Sequence, residues 1–412
     1  MDYTGFMKIL IISNLYPPQV LGGYEILCGQ VVQYLKERGH QVHVLTSNHQ
    51  NAQSDHEATR TLNLYQSFDQ KATFMRKARA RTAAYNSRET SRMIGQVRPD
   101  VIFIWSLLRL TPAPARAAEK SNIPVVYTFN DENIMSFAGH HFSLSPKKLI
   151  HWVLDTFVTP GITLNGIAFR YTTCISQILK RNLLAKGLPI ANSQVIYQGI
   201  PIERFPLRAQ AGFRHTPIRI LYAGQLHAYK GVHTLLAALT GLSTQTGIPP
   251  FTLTVVGKGP EDYTTSLKEA AAKAGFPVDF RGLVPHAEMP SVYQRHDVFV
   301  FPSIWEEPFG LTHLEAMASG LPVVSTANGG QGEFLLDDEN ALTFPPEDVA
   351  VLARQLTRLL TDDALYTRLT YKGRATAVQG FSFSRYVDEL EALLAQACSG
   401  ESRGKPESSV GF

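Results

Sequence analysis

The chain has 412 residues, 44% of them apolar and only 18% charged. At roughly 150 residues per domain, that is enough for two or three domains with sizeable cores, and the low charge excludes a disordered or coiled-coil protein. Thirty-nine lysines and arginines against 35 acidic residues leave a net charge of +4, too weak to name nucleic acid as the partner.

Cys28, Cys174 and Cys398 lie far apart and are odd in number. They can form neither a disulfide framework nor a paired-cysteine metal site, which fits a reducing compartment. No stretch approaches about 18 uncharged apolar residues, so no membrane-spanning helix is expected. The run Met1–Ile12 carries Asp2 and leads into Asn14-Leu15-Tyr16-Pro17-Pro18, not into a small-residue cleavage site. It reads as a first strand and not as a signal peptide. A cytoplasmic protein is expected, or one held at the inner face of the plasma membrane.

Short apolar runs then alternate with segments of helical period. Strands are expected at Met7–Ser13, Gln41–Thr46, Val101–Trp105, Pro124–Phe129, Tyr171–Ser176 and Gln194–Tyr197, with a helix over Tyr24–Arg38 that stops at Gly39. The loop-like stretch Phe205–Pro217 follows. A second series has strands at Ile218–Ala223, Thr252–Val256, Val278–Phe280, Val298–Phe301 and Pro322–Ser325. Its helices are expected at Val232–Leu239, Glu261–Ala274, Glu288–Arg295, Leu311–Ser319 and Val349–Leu360. Such alternation means parallel sheets covered on both faces. The fold class is α/β, with two Rossmann-like doubly wound domains facing a cleft: 1–205 and 206–382. A late helix near 383–398 is expected to pack back on the first domain. The tail 399–412 is expected to be flexible.

The chemistry concentrates after Phe301. A strand ends there, a loop carrying Glu307 follows, and Phe309-Gly310-Leu311-Thr312 opens a helix that contains Glu315, eight positions after Glu307. Free backbone N–H groups at Gly310, Leu311 and Thr312 favour an anion such as a diphosphate. Ionised Glu307 and Glu315 can accept hydrogen bonds from sugar or ribose hydroxyls. Taken alone, Glu307 reads as a helix cap and Glu315 as a solvated helical residue; the neighbouring features favour the ligand-binding reading. Gly22-Gly23 falls between the first strand and its helix, where two glycines would let backbone N–H groups approach a phosphate without a Cβ clash; a plain tight turn is the alternative.

Glu307 and Glu315 with Phe309-Gly310-Leu311 between them, followed by Glu315-Ala-Met-Ala-x-Gly320-x-Pro322-Val-Val, resemble the signature of retaining GT-B-fold glycosyltransferases of the family-4 type (glycosyl transferases group 1). Gly329-Gly330-x-x-Glu333, Tyr222-Ala-Gly224-Gln225-x4-Lys230-Gly231, Val256-Gly-Lys-Gly-Pro260 and Phe280-Arg-Gly282 are similar to further blocks of that family. So, more loosely, are Pro17-Pro18-x3-Gly22-Gly23-x-Glu25 and Arg38-Gly39-His40-x-Val42. The resemblance implies that Glu315 holds the donor ribose, Glu307 contacts the transferred sugar and Lys230 neutralises the diphosphate leaving group. It places Gly22, Gly23, Gln225, Phe309, Gly310, Leu311 and Thr312 around the donor, and Asn130 and Asp131 on the acceptor side. Two positions depart from the family: Gln225 stands where arginine is usual, and Asn130 where histidine is usual. Asn130 can bond a sugar hydroxyl but cannot transfer a proton. His140 and His141 read as loop or surface residues.

No Gly-x-Gly-x-x-Gly follows the first strand, which lowers a dehydrogenase reading. No Asp-x-Asp pair suggests a metal clamp, so no metal and no cofactor is expected; Lys230 and the helix N-terminus would serve instead. The expected activity is transfer of a hexose-type sugar from a nucleotide-diphosphate donor to a hydroxyl acceptor, possibly lipid-linked or glycan, with retention at the anomeric carbon. Such chemistry belongs to cell-envelope or polysaccharide biosynthesis. A sugar-nucleotide epimerase and a catalytically weak sugar-nucleotide-binding protein remain alternatives. Finally, residues 71–98 hold eight lysines and arginines and one acidic residue, Glu89. As a helix at about 100° per residue, Lys77, Arg81, Arg88 and Arg92 fall within about 60° of arc. Phe74, Met75, Ala78 and Tyr85 lie near them, so a weak contact with an anionic membrane or an anionic acceptor is expected, against the alternative of a solvated outer helix.

Overall fold

In a computed structural model, the chain is described over residues 5–51, 53–68, 76–139, 145, 153, 159–209, 211–212 and 214–400. It packs as two compact units. One holds Met1–Ile175, Leu179–Ile196 and Val387–Phe412; the other holds Ser176–Ile178 and Tyr197–Tyr386. His140, His141, Phe74, Met75 and the tail from residue 401 lie outside the described residues.

The first unit contains β1 (Lys8–Ile12), β2 (Gln41–Ser47), β3 (Ala58–Leu62), β4 (Val101–Ile104), β5 (Val125–Phe129), β6 (Tyr171–Cys174) and β7 (Gln194–Val195). They form one sheet in the order 3-2-1-4-5-6-7, and every pair is parallel. Ile9–Ile12 and Val101–Phe103 are wholly buried. Such runs have no wet face, so the helices α1 (Gly23–Glu37), α2 (Arg76–Val97) and α3 (Ala113–Glu119) cover the sheet. The strand β3 was not expected, because Ala58-Thr-Arg-Thr-Leu carries little apolar signal. Its Arg60 is nevertheless buried, donating to the carbonyls of Tyr16 (3.1 Å) and Pro17 (2.6 Å). The helix α4 (Gln177–Ala185) follows β6.

The second unit contains β8 (Ile218–Ala223), β9 (Phe251–Val256), β10 (Val278–Gly282), β11 (Val298–Phe301), β12 (Val323–Ser325) and β13 (Leu342–Thr343), again parallel, in the order 10-9-8-11-12-13. Around them run α5 (Val232–Ser243), α6 (Glu261–Ala271), α7 (Met289–Gln294), α8 (Leu311–Ala318), α9 (Val349–Thr361) and α10 (Asp363–Gly380). The unexpected α10 starts at Asp362, whose carboxylate accepts from the Leu365 N–H at 2.9 Å. A Cβ at Gly373 would lie 3.3 Å from Met317, so the glycine lets α10 press on α8. The last helix, α11 (Phe383–Ser399), gives its residues from Val387 onward to the first unit. There Glu391 and Asp388 pair with Arg38, and Glu391 bonds His40 Nε2 at 3.0 Å.

In each sheet the strand order reverses at one place, beside β1 in the first and beside β8 in the second. Crevices at such switch points, beyond the carboxyl ends of the strands, are where doubly wound sheets bind ligands. The segments after β8 and β11 carry most of the expected site residues.

Candidate functional site

Lys230 is delivered by a short turn after β8. The turn Ala228–Lys230 ends at Gly231, which has φ +72° and opens α5. A Cβ at Gly231 would sit 1.9 Å from the Pro302 carbonyl oxygen, so only glycine permits this close passage of the two loops. Lys230 Nζ then reaches both carboxylate oxygens of Glu307, at 2.6 and 2.8 Å. Ser303 Oγ donates to Oε1 of Glu307 at 2.6 Å. The ammonium also lies 4.8 Å from the Trp305 ring centre and 5.5 Å from that of Tyr229. Lys230 and Glu307 are 7% and 8% exposed. Neither is a solvated surface charge or a helix cap; they form a buried ion pair walled by aromatic rings.

The Gly329-Gly330 pair serves the same loop. A Cβ at Gly329 would lie 2.4 Å from the Glu307 backbone, and one at Gly330 2.2 Å from the Pro308 oxygen. The Gly330 N–H donates to the Glu307 carbonyl at 2.7 Å. The two glycines therefore clamp the backbone that carries Glu307.

Gly310, at φ +142°, precedes α8, whose first-turn N–H groups at Leu311 and Thr312 have no intrahelical acceptor. Glu315 is 5% exposed on the same helix. Its Oε2 accepts from Tyr293 OH at 2.8 Å and its Oε1 pairs with His286 Nε2 at 3.0 Å. Burial, reinforced by the Glu315 charge, pushes the Tyr293 phenol well above its usual range, so it stays a donor. Each Glu315 oxygen keeps a second lone pair for a ligand hydroxyl.

One expected donor contact changes. Phe309 is 2% exposed, and its ring stacks on Tyr197 at 5.8 Å and meets Phe334 at 5.4 Å. Its side chain is packing, and only its backbone is left for a ligand. Gln225 is exposed; its backbone carbonyl accepts from Tyr222 OH at 2.8 Å.

In the first unit, Gly22 caps α1 with an extended backbone. Its N–H donates to Glu25 Oε2 at 3.0 Å. A Cβ at Gly22 or Gly23 would meet nothing within 4 Å, so the expected steric need for glycine is not what the fold itself imposes. Tyr24 OH bonds the Asn130 carbonyl, and Trp105 Nε1 donates to the Tyr24 carbonyl at 3.2 Å. A pocket at this switch point is lined by Asn14, Tyr24, Glu25, Trp105, Asn130 and Asp131. Burial raises the carboxyls of Glu25 and Asp131 above their ordinary range. Asp131 is held by the N–H (2.7 Å) and side-chain amide (2.6 Å) of Asn133. This is a hydrogen-bonding pocket suited to hydroxyls.

Sequence reasoning missed four contributors. Tyr293 and His286 touch Glu315 from 22 and 29 positions away, a separation no motif spacing connects, and Ser303 lies in the same loop as Glu307. The fourth, His313, lies between the two glutamates in sequence. It is wholly buried, and burial pushes its pKa down to about 3. His313 Nε2 lies 2.9 Å from Ser325 Oγ, which also bonds the carbonyls of Phe301 and Thr326, both at 2.9 Å. Among the described residues, no group of three or more His, Cys, Asp or Glu is arranged to hold a metal ion.

Known proteins agree with this architecture. The pattern of "Glycosyl transferases group 1" matches residues 203–376, and that of "Glycosyltransferase Family 4" matches 21–204. The chain is 29% identical to a glycogen synthase of Mycobacterium tuberculosis over 97% of both chains. Among solved structures it resembles sucrose-phosphate synthase of Thermosynechococcus elongatus, with TM-score 0.72, 21% identity and coverage of 95% of this chain and 99% of that one. HepE of Anabaena, solved with UDP-glucose, gives TM-score 0.69 at 21% identity, covering 95% and 100%.

Proposed function

The chain belongs to the group 1 glycosyltransferases of the GT-B fold, and on that premise we propose that it moves a hexose from a nucleotide-diphosphate donor to a hydroxyl acceptor with retention of anomeric configuration. One observation carries the reading: a buried lysine paired with Glu307, beside a helix N-terminus whose fifth residue is the buried Glu315. The donor diphosphate takes Lys230 and the free N–H groups of Leu311 and Thr312. Negative charge grows on the departing phosphate as the anomeric C–O bond breaks, and a fixed cation there stabilises that transition state more than the ground state. The acceptor hydroxyl forms its new bond on the face that the phosphate leaves, and a phosphate oxygen takes its proton. Glu307, released from part of its bond to Lys230, accepts a sugar hydroxyl. Glu315 accepts the ribose hydroxyls on its unused lone pairs.

No metal enters this scheme, because Lys230 and backbone N–H groups supply the countercharge. The acceptor is assigned to the first unit, at the pocket of Asn130 and Asp131, where Asn130 orients a hydroxyl without moving a proton. The similarity to glycogen synthase supports a hexose, and the HepE complex makes UDP-glucose the first donor to try.

The test is a transfer assay with UDP-, GDP-, ADP- and TDP-glucose against glycan and lipid-linked hydroxyl acceptors, with the new linkage read by NMR. An α-linked product from an α-donor is expected. A β-linked product overturns retention. A converted sugar nucleotide formed without acceptor makes the protein an epimerase, and donor binding without turnover makes it a binding protein.

A further inference from the structure

Two carboxylates and no base line the switch-point pocket of the first unit. Glu25 and Asp131 belong to its wall, Asn130 beside Asp131 is uncharged, and among the described lining residues none is lysine, arginine or histidine. Glu25 is 8% exposed. It closes the start of α1 with one oxygen: Oε2 accepts the N–H groups of Gly22 (3.0 Å) and Leu21 (3.3 Å), so Oε1 keeps its lone pairs for a ligand. Asp131 takes both of its bonds from Asn133, which is neutral. Burial disfavours both charges, and the charge of Asp131 makes Glu25 harder still to ionise. A third group is independent of these two. Thr128 of β5 is 6% exposed and lines the same pocket, yet among the described residues its Oγ1 has no hydrogen-bond partner. Buried hydroxyls are nearly always bonded, so an open one in a pocket wall is placed for a ligand.

We propose that this pocket selects an acceptor carrying a free ammonium group, an amino sugar in its unacylated form, and that Glu25, Asp131 and Thr128 hold that group. An ammonium offers three N–H donors and no acceptor. The pocket answers with oxygens from three residues: a carboxylate on α1, a carboxylate just after β5 and a hydroxyl on β5. A neutral hydroxyl would leave the two charges unrelieved, whereas a cation favours the ionised form that burial opposes. Tyr24 and Trp105 line the pocket too, and aromatic faces attract cations. A metal ion would be the other cation to consider, but among the described residues no group of three or more His, Cys, Asp or Glu is arranged to hold one. The inference names the acceptor class and rests on the acceptor being bound in the first unit. It does not rest on the donor chemistry, and the two can fail separately.

The experiment is isothermal titration calorimetry of the full chain at pH 7, without nucleotide sugar. The probes are the methyl α-glucosides aminated at carbon two, three, four or six, each beside its N-acetyl form, and methyl α-glucoside itself. At least one amino form should bind about tenfold or more tighter than its N-acetyl form, the scale of a hydrogen bond to a charged group. Glu25→Gln and Asp131→Asn should each lose that preference. Thr128→Val, which keeps the shape of the side chain, should weaken the amino form by about fivefold and leave methyl α-glucoside unchanged; a merely structural role would weaken both alike. Thermal melting of each variant, read by circular dichroism, checks that the fold is kept. If no amino form binds more tightly than its N-acetyl form, the proposal is overturned, and likewise if the double variant Glu25→Gln/Asp131→Asn keeps the preference. Preference for the amine with no transfer from any donor would uphold the selection and count against the transfer reading alone.

Discussion

Lys230 and Glu307 are each other's counter-ion inside the protein, and that couples folding to function. Removing one partner leaves a buried charge uncompensated, at a cost of about 3–5 kcal/mol. Lys230→Ala should therefore lower the urea midpoint as well as cut turnover by at least about a hundredfold, the scale of losing one charge-stabilising group. The double variant Lys230→Met/Glu307→Gln removes both charges together. It should recover most of the stability in the same urea titration and none of the activity. Recovery of both would remove Lys230 from the chemistry. His286 acts on Glu315 from the side. In His286→Ala one Glu315 oxygen loses its partner and the carboxylate is less firmly aimed. Donor KM should rise by about five- to tenfold, from loss of roughly 1 kcal/mol, while kcat holds. A fall in kcat alone would contradict that role. His313 sets a pH dependence. Its folded pKa, about 3, lies below the ordinary 6.5, so below pH 6.5 the unfolded chain binds the proton that the folded chain refuses. Stability is fully present above that pH and is lost as pH falls toward 3, at about 1.4 kcal/mol per unit from this group. His313→Gln should flatten that limb of a urea-midpoint profile taken from pH 7 to pH 5; an unchanged slope would assign the acid sensitivity elsewhere.

At the scale of elements, glycines decide where loops can touch. Gly231 and Gly22 are both quoted in motifs, yet they differ. An alanine at Gly231 would need a φ of +72° and would collide with the Pro302 carbonyl. Gly231→Ala should cost about 2 kcal/mol or more and displace the turn that carries Lys230. Gly22→Ala meets open space on an extended backbone and should stay within about 1 kcal/mol of wild type, both read by thermal melting. Comparable losses at both positions would show that the loop contact is not what Gly231 serves. Glu333 is another motif residue whose work is structural: its two oxygens accept the N–H groups of Gln177 (2.9 Å) and Ile178 (2.8 Å) at the start of α4. Ile218–Ala223 and Val298–Phe301 were legible to the residue because buried parallel strands are continuous apolar runs. β3 and α10 were not: the first alternates threonine with a buried arginine, and the second interrupts its apolar stripe with Gly373.

Over the whole molecule, the repeated strand order and its two reversals follow from a chain of alternating strands and helices, and the alternation was plain in the sequence. The family blocks named Lys230, Glu307 and Glu315, because motif spacing records which residues serve one loop and one helix. Their burial was not legible, since it depends on how the loop folds Ser303 and Trp305 back around the ion pair and on Tyr293 and His286 arriving from another helix and turn. Nor could residue order show that the Phe309 ring would be taken up by Tyr197 and Phe334. The central question is whether this lysine-and-amide site holds a nucleotide diphosphate sugar without a metal. The direct measurement is thermal unfolding of the wild type and of Glu315→Gln in excess chelator, titrated with UDP-, GDP-, ADP- and TDP-glucose. One donor should stabilise the wild type by about 2.7 kcal/mol at a hundred times its Kd, and the same concentration should stabilise Glu315→Gln much less. Stabilisation that appears only when Mg²⁺ or Mn²⁺ is restored, or that Glu315→Gln retains in full, would contradict the assignment of this site.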